Sequence, residues 1–178
     1  MATTYNVGTG TDDWDHGSVV GFRYTGATII AEDAKAFTPN TYRTAFADVD
    51  TSGIPDTDVI SAASVLFDES AYIASRGLAK TYNLYMWTGS TWVFLEAFTF
   101  VTAAIRTHTL TATERGYISK TGKTKFRWII SGAVASGEYK TLSIKAYETS
   151  QAVACRMSIT HAPASGGTPQ RTLLGVGL

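Results

Sequence analysis

Along most of the chain apolar and polar positions alternate with a period of two, the pattern of strands that lay one face on a core. In residues 81–88, Tyr82, Leu84 and Met86 fall on one side and Asn83, Tyr85 and Trp87 on the other. Residues 124–131 align Phe126, Trp128 and Ile130; residues 139–148 align Leu142, Ile144 and Ala146 against Ser143, Lys145 and Tyr147; residues 153–161 align Val153, Cys155, Met157 and Ile159. Gly89-Ser90 reads as a hairpin turn, with Trp92 opening the return strand. Residues 42–67 read as strand, connection and strand, because Gly53 frees the backbone and Pro55 cannot donate to a ladder. Shorter strands are expected at 3–7, 19–24, 27–31 and 117–119, turns at 114–116 and 120–123, and loops at 8–17 and 68–80. The sum is roughly eight to ten strands and no long helix, which predicts a single jelly-roll-like antiparallel β-sandwich over residues 1–161. Residues 162–178 differ: a Pro/Gly-containing linker leads into an apolar C-terminal arm.

Composition narrows the function classes. The 178 residues suffice for one sizeable core, and 12% aromatic content with abundant Thr and Val favours strands. Lys+Arg and Asp+Glu are 15 each, so no long-range field draws nucleic acid or an anionic membrane, and neither is expected as a partner. Charged residues are only 17%, permissible where other subunits cover much of the surface. The lone Cys155 excludes an intrachain disulfide and reads as a small buried hydrophobe, with a reactive thiol as the alternative. The N-terminus has no secretory signal pattern, so synthesis as a soluble cytoplasmic protein is expected.

Candidate chemistry is sparse. His16, His108 and His161 form no close ligand pair, and no nucleophile elbow, Walker loop or dinucleotide fingerprint is present. No enzyme activity, cofactor or metal is expected. Asp12, Asp13 and Asp15, with His16, are the residues of the 8–17 loop that would suit a hard cation, but their spacing matches no EF-hand and a solvated Asx-type turn is the competing reading. The acid pairs Asp48/Asp50, Asp56/Asp58 and Asp68/Glu69 read as surface or turn acids rather than as a hydrolytic pair. Tyr5, Tyr24, Tyr42, Tyr72, Tyr85, Trp87 and Trp92 could contribute a sugar-stacking platform, Trp87 and Trp92 above all; core or subunit interface is the alternative.

Residues 42–67 carry a resemblance. Arg43, Asp50, Ser52, Ile54, Pro55, Ile60 and Ala63 follow the hallmark of DNRLRE-type domains, with Val49 in place of Phe and Thr51 in place of Leu. Those domains are jelly-roll sandwiches of cell-surface and carbohydrate-active proteins, so the resemblance implies a fold more than an activity. The Met-Ala-Thr-Thr start, the Thr/Ala/Gly-rich domain, the low charge and the apolar arm are similar in style to virion proteins of tailed phages. That resemblance implies a capsid decoration or head-surface protein, localised to the virion, that binds and stabilises a preassembled lattice of capsid, neck or tail subunits. A homo-oligomer, such as a trimer, is compatible with it. Thr172, Leu173, Leu174, Val176 and Leu178, with Tyr5 and Val7, are then the partner-contact residues. The rival expectation is a carbohydrate-binding or host-adhesion module that uses Trp87 and Trp92.

Overall fold

One strand of 17 residues, Asp58–Ala74, runs through both layers of the fold. The computed structural model describes residues 2–6, 13–17, 23–24, 28–34, 41–75, 77–146 and 154–164. Within them lie β1 (Ala2–Asn6), β2 (Asp13–Gly17), β3 (Arg23–Tyr24), β4 (Thr28–Ala34), β5 (Thr41–Asp50), β6 (Asp58–Ala74), β7 (Thr81–Trp87), β8 (Trp92–Thr99), β9 (Ile105–Thr109), α1 (Ala112–Arg115), β10 (Lys123–Ile130), β11 (Tyr139–Lys145) and β12 (Arg156–Pro163). The first part of β6 pairs with β12 and β9, and β12 pairs with β1, forming one sheet. From Glu69 onward β6 pairs instead with β11, which leads into the second sheet, β11–β4–β5–β10–β7–β8; β2 adds to β5 and carries β3. Every pairing is antiparallel, and the chain is an all-β sandwich. Among the described residues no helix is long and apolar enough to cross a membrane.

The alternating rows land as the period of two predicts. Tyr82, Leu84, Met86, Phe126, Trp128, Ile130, Leu142, Ile144, Ala146, Cys155, Met157 and Ile159 are all buried, and Cys155 lies inside the core in no disulfide. Phe67 sits where β6 changes sheets and meets Trp128, Phe98 and Tyr82 edge-on, with ring centroids 5.2, 5.4 and 6.3 Å away. Thr51 is buried too: its hydroxyl reaches the Ser119 carbonyl at 2.6 Å and Thr124 Oγ1 at 2.8 Å, which ties the 51–57 connection to the start of β10.

Several expectations are corrected. Residues 68–74 are strand, not loop, because Asp68 and Glu69, which look like loop residues, are buried and paired with arginines. Residues 13–17 are strand as well: β2 lies along β5 with Asp13 opposite Ala47 and Asp15 opposite Ala45. No strand forms at 117–119. Ala162 and Pro163, expected to open a linker, are strand residues paired with Val59 and Asp58, and residues 165–178 lie outside the described residues.

The turn expected at 114–116 is the end of α1. Thr111 caps this helical turn in a reciprocal box, its N–H donating to Glu114 Oε2 at 2.7 Å and its hydroxyl accepting from the Glu114 N–H at 3.3 Å. Burial pushes the Glu114 carboxyl up, but the bonds from Thr111 and the nearby His108 outweigh it and hold it below its ordinary value. A carboxyl depressed on folding adds stability above its unfolded pKa of about 4.3 and loses it as pH falls through the folded value. Glu114→Ala should therefore cost about 1 kcal/mol near neutral pH, with the gap to the parent chain closing in acid. Urea midpoints across that range check it; a gap that widens in acid would contradict the assignment.

Candidate functional site

The outer face of the β5–β10–β7–β8 sheet carries the largest concentration of half-exposed rings among the described residues. Its construction begins with a one-residue irregularity. In β8, Trp92, Phe94, Glu96 and Phe98 share parity, so a straight strand would point all four to one face. The register slips between Leu84 and Tyr85, so that Glu96 opposes Leu84 while Phe94 opposes Tyr85 and Leu95 is the extra residue. Phe98 consequently turns into the core at 9% exposure while Phe94 stands outside at 53%. Trp92 comes out with it, opposite Trp87 across the hairpin. The turn that joins them places Gly89 at a φ of 96°, where a side chain is strained, and closes with Thr91 N–H on Thr88 Oγ1 at 3.1 Å.

The rings touch one another. Trp87 and Trp92 lie 5.3 Å apart at 57°, Tyr85 and Phe94 5.8 Å apart at 74°, and Phe46 meets Trp92 at 5.9 Å. Arg127, on the outer row of β10, is set between them. Its guanidinium carbon is 4.7 Å from the Trp92 centroid and 4.9 Å from the Tyr85 centroid, within cation–π range of both. Its Nε is buried with no hydrogen-bond partner. Burial pushes the guanidinium pKa down, against a smaller raising effect of Tyr85.

Beside Trp87 this face opens into a groove of about 370 Å3, walled also by Thr88, Tyr117, Ser119, Lys123 and Lys125. Trp87 and Trp92, expected as stacking residues, are thus brought together with Tyr85. The other aromatics are not: Tyr72 is buried at 5% exposure against Phe100, and Tyr5 lies at the β1 edge. The side chains of Tyr24 and Tyr42 lie outside the described residues.

A second polar chain holds that edge. His161 Nδ1 donates to Asp58 Oδ2 at 2.6 Å, and the Tyr5 hydroxyl meets Nε2 at 2.9 Å. The β12–β6 register shifts between Thr160 and His161, so the histidine arises at an irregular position. The sequence offers no clue to this trio, whose members are more than fifty residues apart (Asp58 to Tyr5) or a hundred (His161 to Asp58). Carboxylate, imidazole and hydroxyl in series resemble an activating relay, but burial and then Asp58 push the Tyr5 hydroxyl up, away from ionisation. The chain is suited to fastening β1 rather than to making a nucleophile. Tyr5, expected as a partner contact, is thus half-buried and hydrogen-bonded within its own fold.

The acids expected at the surface are in part buried. Asp48, Asp58, Asp68 and Glu69 are at most 9% exposed. Arg156 pairs with Asp68 at 3.0 Å, and Arg106 with Glu69 at 2.8 Å, while the Tyr82 hydroxyl donates to the Glu69 carboxylate. Burial, then Glu69, pushes Tyr82 far up. Nearby, His108 lies between Glu96 and Glu114 at 2.7 and 3.4 Å. Among the described residues no three His, Cys, Asp or Glu side chains group in a manner that could hold a metal ion. Asp12, Val7, Thr172, Leu173, Leu174, Val176 and Leu178 lie outside the described residues, as do the side chains of Asp13 and Asp15.

No protein-family model matches this chain, and no curated protein matches it in sequence.

Proposed function

We propose that this chain is a non-enzymatic structural protein of a tailed-phage virion, of the capsid-decoration type, that binds and stabilises a preassembled lattice. The observation that supports a binding role most is the aromatic face: Trp, Tyr and Arg are the residues that dominate protein contact energies, and here they are fixed on a sheet and packed on one another before any partner arrives. The rings are tilted at 57° and 74° rather than coplanar, so they form relief that can interlock with a partner surface. The paired state of Asp68 and Glu69 argues in the same direction, since a carboxylate held by an arginine is ill suited to general acid work. The virion setting is supported by the low charge and by the resemblance in style. On a lattice, many modest contacts add up without any one being strong.

Sedimentation velocity of the full chain and of a chain ending at Ala164 tests this reading. A homo-oligomer, such as a trimer, is expected for the first and a folded monomer for the second. Two identical folded monomers would remove self-assembly through the arm. The second reading, a carbohydrate-binding module, is favoured by one observation: the polar groove that opens beside Trp87.

A further inference from the structure

The outer row of β10 holds three cations at alternate positions, Lys123, Lys125 and Arg127. Their neighbours on β5 differ. Lys123 stands opposite Asp50, and Lys125 opposite Asp48, but Arg127 stands opposite Phe46. On its other side Arg127 opposes Tyr85. Two of the three cations therefore have a carboxylate residue in the facing position, and the third has rings on both sides. Lys123 also acts on Asp50, whose carboxyl is held below its usual range first by the Ser52 hydroxyl and N–H and then by this lysine. Arg127 takes part in none of the described hydrogen bonds or ion pairs, although a guanidinium carries five donors.

Arg127 is half-buried, with Nε fully covered, so part of its charge is screened from water and an anion that reaches the exposed part of the fork would be held more strongly than in bulk solvent. The Trp92 and Tyr85 rings flank the guanidinium at 4.7 and 4.9 Å, and the guanidinium fork matches a carboxylate bidentately. The surroundings point to the kind of molecule that bears the carboxylate. Trp87 lines the adjoining groove, with Trp92 and Tyr85 adding half-exposed apolar ring surface beside it, and the groove offers the hydroxyl-bearing Thr88, Tyr117 and Ser119. A saccharide has both apolar faces and hydroxyls, and an acidic one adds the carboxylate. We propose that Arg127 is the recognition centre for the carboxylate of an acidic saccharide, whose sugar units lie over Trp87, Trp92 and Tyr85 toward the groove. This deepens the carbohydrate-binding reading and rests on it, and it assigns the face to a saccharide instead of a lattice subunit.

The test uses galacturonic acid oligomers and sialylated lactose against methyl-esterified galacturonate oligomers and lactose. Binding to the full-length protein is read by tryptophan fluorescence and by the indole N–H signals of Trp87 and Trp92 in NMR spectra. The acids should bind about tenfold more tightly than their neutral counterparts, a preference that salt weakens. Arg127→Gln should abolish the preference. Arg127→Lys, which keeps the charge and the aliphatic stem, should reduce it by removing the bidentate pair and stands in if the glutamine variant does not fold. The proposal is overturned if acids and esters bind alike, if neither binds, or if the preference survives in folded Arg127 variants. It is also overturned if a glutamate-rich peptide moves the same indole signals while saccharides do not, in which case the face is a protein interface.

Discussion

Phe67→Ala is expected to destabilise the protein by about 3–5 kcal/mol, the range for an aromatic truncated in a well-packed core. The position accounts for the size of the effect. Phe67 has no exposed surface and lies on the strand that both sheets share. Its ring contacts Trp128 on β10, Phe98 on β8 and Tyr82 on β7, so one side chain joins the first sheet to three strands of the second. The edge-on geometry adds to the buried area, and no neighbour can collapse into the space without leaving its own sheet. Phe67→Leu, which keeps most of the volume, should cost about 1.5 kcal/mol. Denaturant unfolding measures both. A loss under about 1 kcal/mol for the alanine variant would mean that the two sheets do not close on this ring.

Arg106→Leu is the second large effect, at about 3 kcal/mol or more. The asymmetry of the pair sets this expectation. The Glu69 side chain is fully buried, whereas that of Arg106 is 26% exposed. Removing the arginine strands a carboxylate that cannot reach water; the Tyr82 hydroxyl alone cannot offset the charge. Glu69→Gln keeps an acceptor for Tyr82 and leaves Arg106 partly hydrated and bonded to the Thr99 carbonyl at 3.1 Å, so it should cost less. The double variant Glu69→Gln/Arg106→Leu should be more stable than the sum of the single losses implies. Unfolding free energies that add within about 0.5 kcal/mol would show that the two side chains are not coupled.

These two sites mark what sequence alone could and could not disclose. Phe67 is legible: it shares strand parity with Ala63 and Val65, the apolar side of an alternating run, and all three are buried. The same holds for the rows on β7, β10 and β11, where one residue faces the core and the next does not. Glu69 was not legible, because its burial rests on Arg106, 37 positions away and brought near only by the pairing of β9 with β6. Asp-Glu reads as solvent until an arginine is seen beside it. The aromatic face was half legible. Trp87 stood out on the polar side of its strand, but an unbroken period would have sent Trp92 and Phe94 inward with Phe98. A bulge is a single extra residue without a composition of its own, and its effect is to exchange inside for outside. Arg127 is not legible, since its lack of a facing acid depends on the β10–β5 register that sets it opposite Phe46.

The pairing of β1 with β12 sets an order of events during synthesis. Thr4 aligns with Ser158, so β1 waits about 150 residues of translation for the strand it pairs with. At about 5–20 residues per second, that wait is on the order of ten seconds or more. The early half of β6 waits as well, for β9 on one stretch and β12 on another. Throughout that interval a ribosome carries strands whose hydrogen-bonding edges are open, close to sibling chains on the same message. Faster elongation shortens this exposure, while a pause before β12 prolongs it, so the yield of correctly assembled protein is tied to the pace of translation as well as to the stability of the finished sandwich.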